Sequence, residues 1–164
     1  MVRRIVWLYG LSGAGKSTLS NRLEASLTRP TFVIDADDVR DTINADLNFS
    51  GEDRAENNRR LAQAALWIDR KGFQVIVSSM LPTDSLRDLV KSEVGPRLQL
   101  VYVKCSWTEC VKRDPKGLYT KWKEGKLQNF DSGFDEPYRP EITVETTGRP
   151  VQECVDFLRR VLFT

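Results

Sequence analysis

Histidine is absent from this chain of 164 residues. Its absence excludes serine–histidine triads, histidine general bases and histidine metal ligands, so proton transfer near neutral pH falls to a carboxylate, a lysine, a cysteine, a tyrosine or water. Cysteine is scarce. Cys105, Cys110 and Cys154 are odd in number, show no Cys-x-x-Cys spacing, and point to neither a zinc site nor a disulfide framework. They read as reduced thiols. Long apolar runs are lacking too, none approaching the ~20 residues of a membrane span. The opening Met1-Val-Arg-Arg-Ile-Val-Trp-Leu-Tyr-Gly10 has the charged start of a signal peptide, but its apolar run stops after Tyr9, short of what a signal needs. The expectation is a cytoplasmic protein with no membrane partner. Nor is charge of one sign in excess: 25 Lys and Arg stand against 23 Asp and Glu, interleaved along the chain, for a net charge of +2. That balance offers no strong field to a polyanion, and nucleic acid is not an expected partner.

The length suits one domain, residues 1–164, large enough to bury a core without metal or disulfide staples. Apolar runs of strand length at 5–9, 31–34, 73–77 and 98–103 alternate with stretches of helical period at 16–27, 36–47, 53–71, 83–93 and 107–113. A short strand at 142–144 and a helix at 151–162 close the chain. Near-continuous apolar strands between helices predict a mainly parallel sheet buried on both faces, an α/β layered fold. Residues 114–140 break the rhythm, with glycines and prolines among lysines and aromatics and one short helix at 121–124. A stretch of that length inside a compact domain predicts a lid or binding loop.

After the first strand comes Gly10-Leu-Ser-Gly-Ala-Gly15-Lys16-Ser17-Thr18, which matches the phosphate-binding pattern Gly-x4-Gly-Lys-Ser/Thr in its strand-loop-helix setting. Gly10, Gly13 and Gly15 let the backbone wrap a phosphate, the amides of the loop from Ser12 and Ala14 onward turn inward, and the helix that follows presents its positive end to the same anion. Lys16 would reach the β and γ phosphates of ATP, and the Ser17 hydroxyl could ligate Mg²⁺. Thr18 completes the candidate set.

The second strand ends in acid, Ile34-Asp35-Ala36-Asp37-Asp38-Val39-Arg40, where ligands of such sheets bind. Without histidine, Asp35 or Asp37 is the natural base, or holds magnesium; the competing role is capping of the next helix, which we favour for Asp38. In the third helix Leu61, Ala64, Ala65 and Ile68 form one stripe, and running it backward reaches Asn57 and Arg54. These polar groups face inward at the end nearest the predicted site, and need either a bound anion or an ion pair, such as Arg54 with Glu56. Downstream, Arg113 at a helix end is placed to neutralise charge on a transferred phosphate, and a base could stack on Phe49 or Phe130.

Taken together, these segments resemble the adenylyl-sulfate kinase family. The likeness rests on the phosphate loop, on Asp35-Ala-Asp37-Asp-Val-Arg40, on Asp46-Leu-Asn-Phe49-Ser50 followed by Asp53-Arg54-x-Glu56-Asn57-x-Arg59-Arg60, and on Arg113-Asp-Pro-Lys-Gly-Leu-Tyr119. The resemblance implies a P-loop NTPase fold, a three-layer sandwich with a lid loop. It also implies an ATP-dependent kinase that phosphorylates the 3′-hydroxyl of adenylyl sulfate, with ATP and Mg²⁺ as cofactors and commonly a homodimer. On that basis Asp37 would be the base or magnesium-linked carboxylate, Arg40, Arg54 and Asn57 would hold the acceptor's charged groups, Phe49 and Phe130 would sandwich its base, and Lys121 would cover it. The chain departs from the family at Ala36 and Asp38, at Asn48, at Trp122, and at Ser79-Met80-Leu81-Pro82, where a polar acceptor-contacting turn has become apolar.

Those departures leave room for another acceptor. A kinase type acting on cytidine diphosphoramidate looks similar in its motifs, and a kinase of a small metabolite is a further alternative. From another class comes a GTP-binding switch: Asp69-Arg-Lys-Gly72 matches its Asp-x-x-Gly pattern, but no Asn-Lys-x-Asp guanine reader is present.

Overall fold

A computed structural model describes residues 4–127 and 133–164. Five strands form its sheet: β1 (Ile5–Tyr9), β2 (Thr31–Asp35), β3 (Gln74–Ser79), β4 (Leu98–Lys104) and β5 (Thr143–Glu145). Their order is β2-β3-β1-β4-β5 and every neighbouring pair is parallel. Parallel strands need crossovers, and the helices α1 (Lys16–Ser26), α2 (Ala36–Arg40), α3 (Gly51–Arg70), α4 (Asp84–Val94), α5 (Trp107–Arg113), α6 (Leu118–Lys123) and α7 (Val151–Phe163) supply them and flank the sheet.

All five residues of β1 are buried because both sheet faces are covered. Ile5, Trp7 and Tyr9 look toward Leu61 and Ala65 of α3 and Val90 of α4, while Val6 and Leu8 look toward Leu19 and Leu23 of α1 and Val155 and Leu158 of α7. Each fully buried aliphatic side chain of this kind contributes roughly 1.5–3 kcal/mol. The expected three-layer α/β sandwich is thus the observed one. Among the described residues, no helix is long and apolar enough to cross a membrane.

Most predicted spans agree within two residues at each end, and two elements differ by more. The helix expected over 36–47 stops at Arg40, since Asn44 turns inward instead of continuing the spiral. Asn44 is fully buried, donating to Asn57 Oδ1 at 2.9 Å and accepting from Arg60 Nη1 at 3.3 Å. In the irregular stretch, α6 starts at Leu118 rather than 121 because Asp114 accepts from the amides of Tyr119 (3.0 Å) and Thr120 (3.1 Å).

At the amino pole of the sheet, buried Asp69 at the end of α3 pairs with Arg4 (3.1 Å) and with Arg97. Gly72 N–H bonds Asp69 O, closing the helix end. The Asp-x-x-Gly match of the switch alternative is therefore an internal brace, at the pole opposite the phosphate loop. The structure corrects that reading.

Candidate active site

Residues 10–15 leave β1 at the carboxyl pole and enter α1. A Cβ on Gly10 would sit 2.3 Å from Val103 O, and Gly10 has φ +156°, so no larger residue fits. Gly13, with φ +82°, passes under Cys110 O, which a Cβ there would meet at 3.0 Å. The loop's carbonyls are pinned from outside: Ser12 O accepts from Tyr119 Oη (2.7 Å), Gly13 O from Arg113 Nη1 (3.1 Å) and Ala14 O from Thr146 Oγ1 (2.7 Å). Peptide planes are trans, so fixing the Ser12 and Ala14 carbonyls outward aims the N–H groups of Gly13 and Gly15 the other way, into the cavity. The open N–H groups of the first turn of α1 continue that nest.

Lys16 Nζ donates to Gly10 O (2.9 Å) and Leu11 O (2.8 Å). Desolvation there, and then the nearby Lys116 charge, lower its pKa to about 8. Ser17 Oγ donates to Asp35 Oδ2, while Asp35 Oδ1 accepts from the Asp37 amide (3.0 Å) and caps α2. Asp35 thus takes the capping role the sequence offered, and its second oxygen is held by Ser17. Ser78, the register partner of Asp35 on β3, borders the same cavity, and its buried hydroxyl has no hydrogen-bond partner among the described residues. Ser17, Asp35 and this orphaned oxygen form a hard-oxygen donor set that suits Mg²⁺ sharing its coordination with phosphate and water.

Asp37 points to a different partner, forming an ion pair with Lys116 on the turn before α6. Beyond it lies a cluster built by the 40–54 segment. Arg40 lays its guanidinium 4.3 Å from the Phe49 ring centre and donates to Asn48 O (3.2 Å), and Arg54 Nε donates to Phe49 O (3.0 Å). Burial holds both guanidiniums below their usual range, with Arg54 a further cause for Arg40. An anionic ligand would relieve both. Of the alternatives for Arg54, the ion pair with Glu56 does not form, since Glu56 is taken by Arg59 (2.7 Å) and Arg60 (2.8 Å). Asn57 lies buried beside the cluster, and Asn58 and Ser79 link α3 to Trp7 in the sheet.

One cavity of about 640 Å³ joins these parts, running from Arg149, Val151 and Cys154 past the phosphate loop and Asp37 to Phe49, Met80, Leu81 and Pro82. A model of the family described as adenylylsulphate kinase matches residues 3–145. The chain belongs to the adenylyl-sulfate kinase family. Among its relatives, a probable adenylyl-sulfate kinase of Halalkalibacterium halodurans is 38% identical over 97% of this chain and 80% of its own length. The adenylyl-sulfate kinase of Pseudomonas aeruginosa is 42% identical over 87% of this chain and 76% of its own. The structure of the Mycobacterium tuberculosis APS kinase CysC in complex with AMPPNP and APS superposes with a TM-score of 0.91 at 33% identity, covering all of both chains.

Within this kinase fold, Gly10, Ser12 to Thr18, Asp35, Asp37, Arg40, Phe49, Arg54, Asn57, Met80 and Leu81 come together at the carboxyl pole. Leu81 also packs into the core at 1% exposure, so the departure from a polar turn carries its side chain inward. Arg113 borders the cavity, yet its three donor groups face Gly13 O, Thr146 O (3.2 Å) and Glu109 (3.1 Å), because α5 runs behind the loop. Lys121 does not reach the cavity lining: α6 turns it to solvent. Phe130 lies outside the described residues. The sequence reading passed over Lys116, Tyr119 as a brace, and Thr146. For Lys116, its place between Pro115 and Gly117 in a cation-rich stretch was a usable signal; Thr146 carried none.

Proposed function

We propose that the protein transfers the γ-phosphate of ATP to the 3′-hydroxyl of adenylyl sulfate, giving 3′-phosphoadenylyl sulfate and ADP. The observation that carries this reading is a single cavity whose two arms meet at Asp37: an amide-lined loop with Lys16 on one side, two half-buried arginines and an aromatic ring on the other. The first arm suits a triphosphate, the second an anionic nucleotide. That a relative's structure holds AMPPNP and APS together supports the pairing of substrates.

Lys16 and the amides of Gly13 and Gly15 hold the transferring phosphate, with Arg113, Tyr119 and Thr146 keeping the loop in shape behind it. Ser17 and Asp35 are the residues that would hold Mg²⁺, which when bound neutralises charge on the phosphate oxygens. Arg40 and Arg54 take the acceptor's anionic groups, Asn57 adds hydrogen bonds, and the Phe49 face away from Arg40 receives the base. Asp37, steadied by Lys116, orients the acceptor hydroxyl and takes its proton as the oxygen attacks the γ-phosphorus. The bond from that phosphorus to the bridging oxygen breaks, and ADP leaves with its electrons. The cytoplasm, where ATP is available, and a homodimeric assembly belong to the same reading.

Turnover assays with ATP, Mg²⁺ and a panel of adenosine and cytidine diphosphate analogues alongside adenylyl sulfate test it through kcat/KM. Asp37→Asn should lower kcat by roughly 10²- to 10⁴-fold at unchanged Tm. Intact turnover in that variant, or no nucleotide that consumes ATP, rejects the proposal. A cytidine diphosphate analogue as acceptor is the second reading, left open by the loss of a polar acceptor-contacting turn at Met80-Leu81, and the same panel would reveal it by a higher kcat/KM.

A further inference from the structure

Arg87 on α4 is 3% exposed, and a buried guanidinium persists only where its donors are matched. Here they are. Nε donates to Leu81 O (3.1 Å), Nη1 to Asp84 Oδ1 (2.7 Å), and Nη2 to Asp135 O. Rings complete the enclosure: the guanidinium carbon lies 5.2 Å from the Tyr9 centroid and 5.1 Å from that of Phe134. Tyr102 stacks on both of those rings, at 5.5 and 6.0 Å.

The two carbonyls it holds come from segments far apart in the chain, and neither lies in a helix or strand. Leu81 is a non-glycine residue at φ +41°, a conformation that persists only when its surroundings impose it. Met80 and Leu81 border the acceptor arm of the cavity, and Met80 O also accepts from Gly10 N (3.2 Å), joining this turn to the phosphate loop. Asp135 N in turn donates to Pro82 O (2.8 Å), and Tyr102 Oη donates to Glu136 (3.3 Å), so residues 134–136 are laid over the turn.

We infer that Arg87 is a positioning residue for the acceptor, a strut that keeps the Met80–Leu81–Pro82 wall in its strained shape and ties the 134–136 segment across it. It touches no reacting group. Only a planar fork with donors in three directions serves all three oxygens; an ammonium in its place keeps the charge and loses the geometry. The inference rests on the functional reading above, in that the wall it shapes receives the acceptor.

The test is Arg87→Lys in the full chain, with KM for adenylyl sulfate, KM for ATP, kcat and Tm measured together. The acceptor KM should rise roughly tenfold while the ATP KM stays within about twofold, since misplacement of an orienting wall is felt by the substrate it orients. A fall in Tm or kcat with both KM values unmoved, or an equal rise in both, overturns the strut. Should Arg87→Lys fail to fold, Phe134→Leu at the half-buried rim decides: an acceptor KM raised by about threefold supports the inference, and an unchanged one overturns it. Absence of turnover by the unmodified protein would instead sink the functional reading, whereas normal turnover with unmoved KM values in the variants sinks this inference alone.

Discussion

The two poles of the sheet each carry aspartates beside cations, and they use them differently. At the amino pole, the Asp69 side chain is fully buried between Arg4 and Arg97, which extend from the backbone just before β1 and β4. At the carboxyl pole, the Asp37 side chain is 55% exposed and its partner Lys116, 44% exposed, sits on the turn ahead of α6. In the first pairing the carboxylate is sealed from solvent, and its arginines cover it from the rim. The second joins two segments across the mouth of a cavity, where a ligand's charges can compete for either member. Closed electrostatics brace the fold; open electrostatics leave room for a substrate.

The sharpest way to break this contrast is Asp69→Ala. Removing the buried acid takes its charge-assisted hydrogen bonds from two arginines that still reach water, and should lower unfolding free energy by about 2 kcal/mol, while the folded fraction keeps its kcat/KM. Urea unfolding followed by assay under native conditions separates the two. A large loss of kcat/KM at full stability would erase the distinction between the poles.

Next in size is a pH effect that belongs to the carboxyl pole alone. Lys16, lowered to about 8, is cationic below that pH and neutral above it in the ATP-free protein. Bound ATP favours the cation, so its Kd should be flat below about 8 and rise up to tenfold per pH unit above it, until the raised pKa of the complex is reached. Calorimetry across this window, with Lys16→Met as the slope-free control, reads it directly. The sign for folding is opposite to that of a paired lysine. Above about 8 the unfolded chain binds the proton more readily than the folded one, so stability gains with pH from this group until its unfolded pKa is passed.

The smallest effect tests the bracing behind the phosphate loop. Thr146→Val removes the hydroxyl that Ala14 O accepts from, costing about 1 kcal/mol of stability and raising the ATP KM by about threefold. An ATP KM that does not move would mean that the loop holds its own shape.

Most of the architecture could be read before any coordinates. The β1 span and the α5 span agree with the sequence periodicity residue for residue, because continuous apolar runs and a 3.6-residue period are local signals. The expected 36–47 helix failed for a reason no window contains: Asn44 is drawn inward by Asn57 and Arg60, distant residues of α3. Much of the candidate site was also visible, since Gly10 to Thr18 is contiguous, Asp35 closes β2 and Asp37 follows it in the first turn of α2. What stayed hidden were side chains whose work depends on a partner elsewhere, namely Lys116 on Asp37, Thr146 on Ala14 and Arg87 on Leu81 and Asp135.

By itself the amino-acid order determined which backbone shapes were available: glycines where φ must be positive, a cap and a lysine where a helix begins, apolar alternation between strand and helix. These follow from sterics and hydrogen bonding over a few residues. Only the tertiary structure decided which charges met. The carboxyl ends of the parallel strands converge at one edge, and long side chains from α4, α5 and the turn before α6 arrive there from far along the chain. Electrostatic partnership depends on distance in space, and local sequence does not encode that distance.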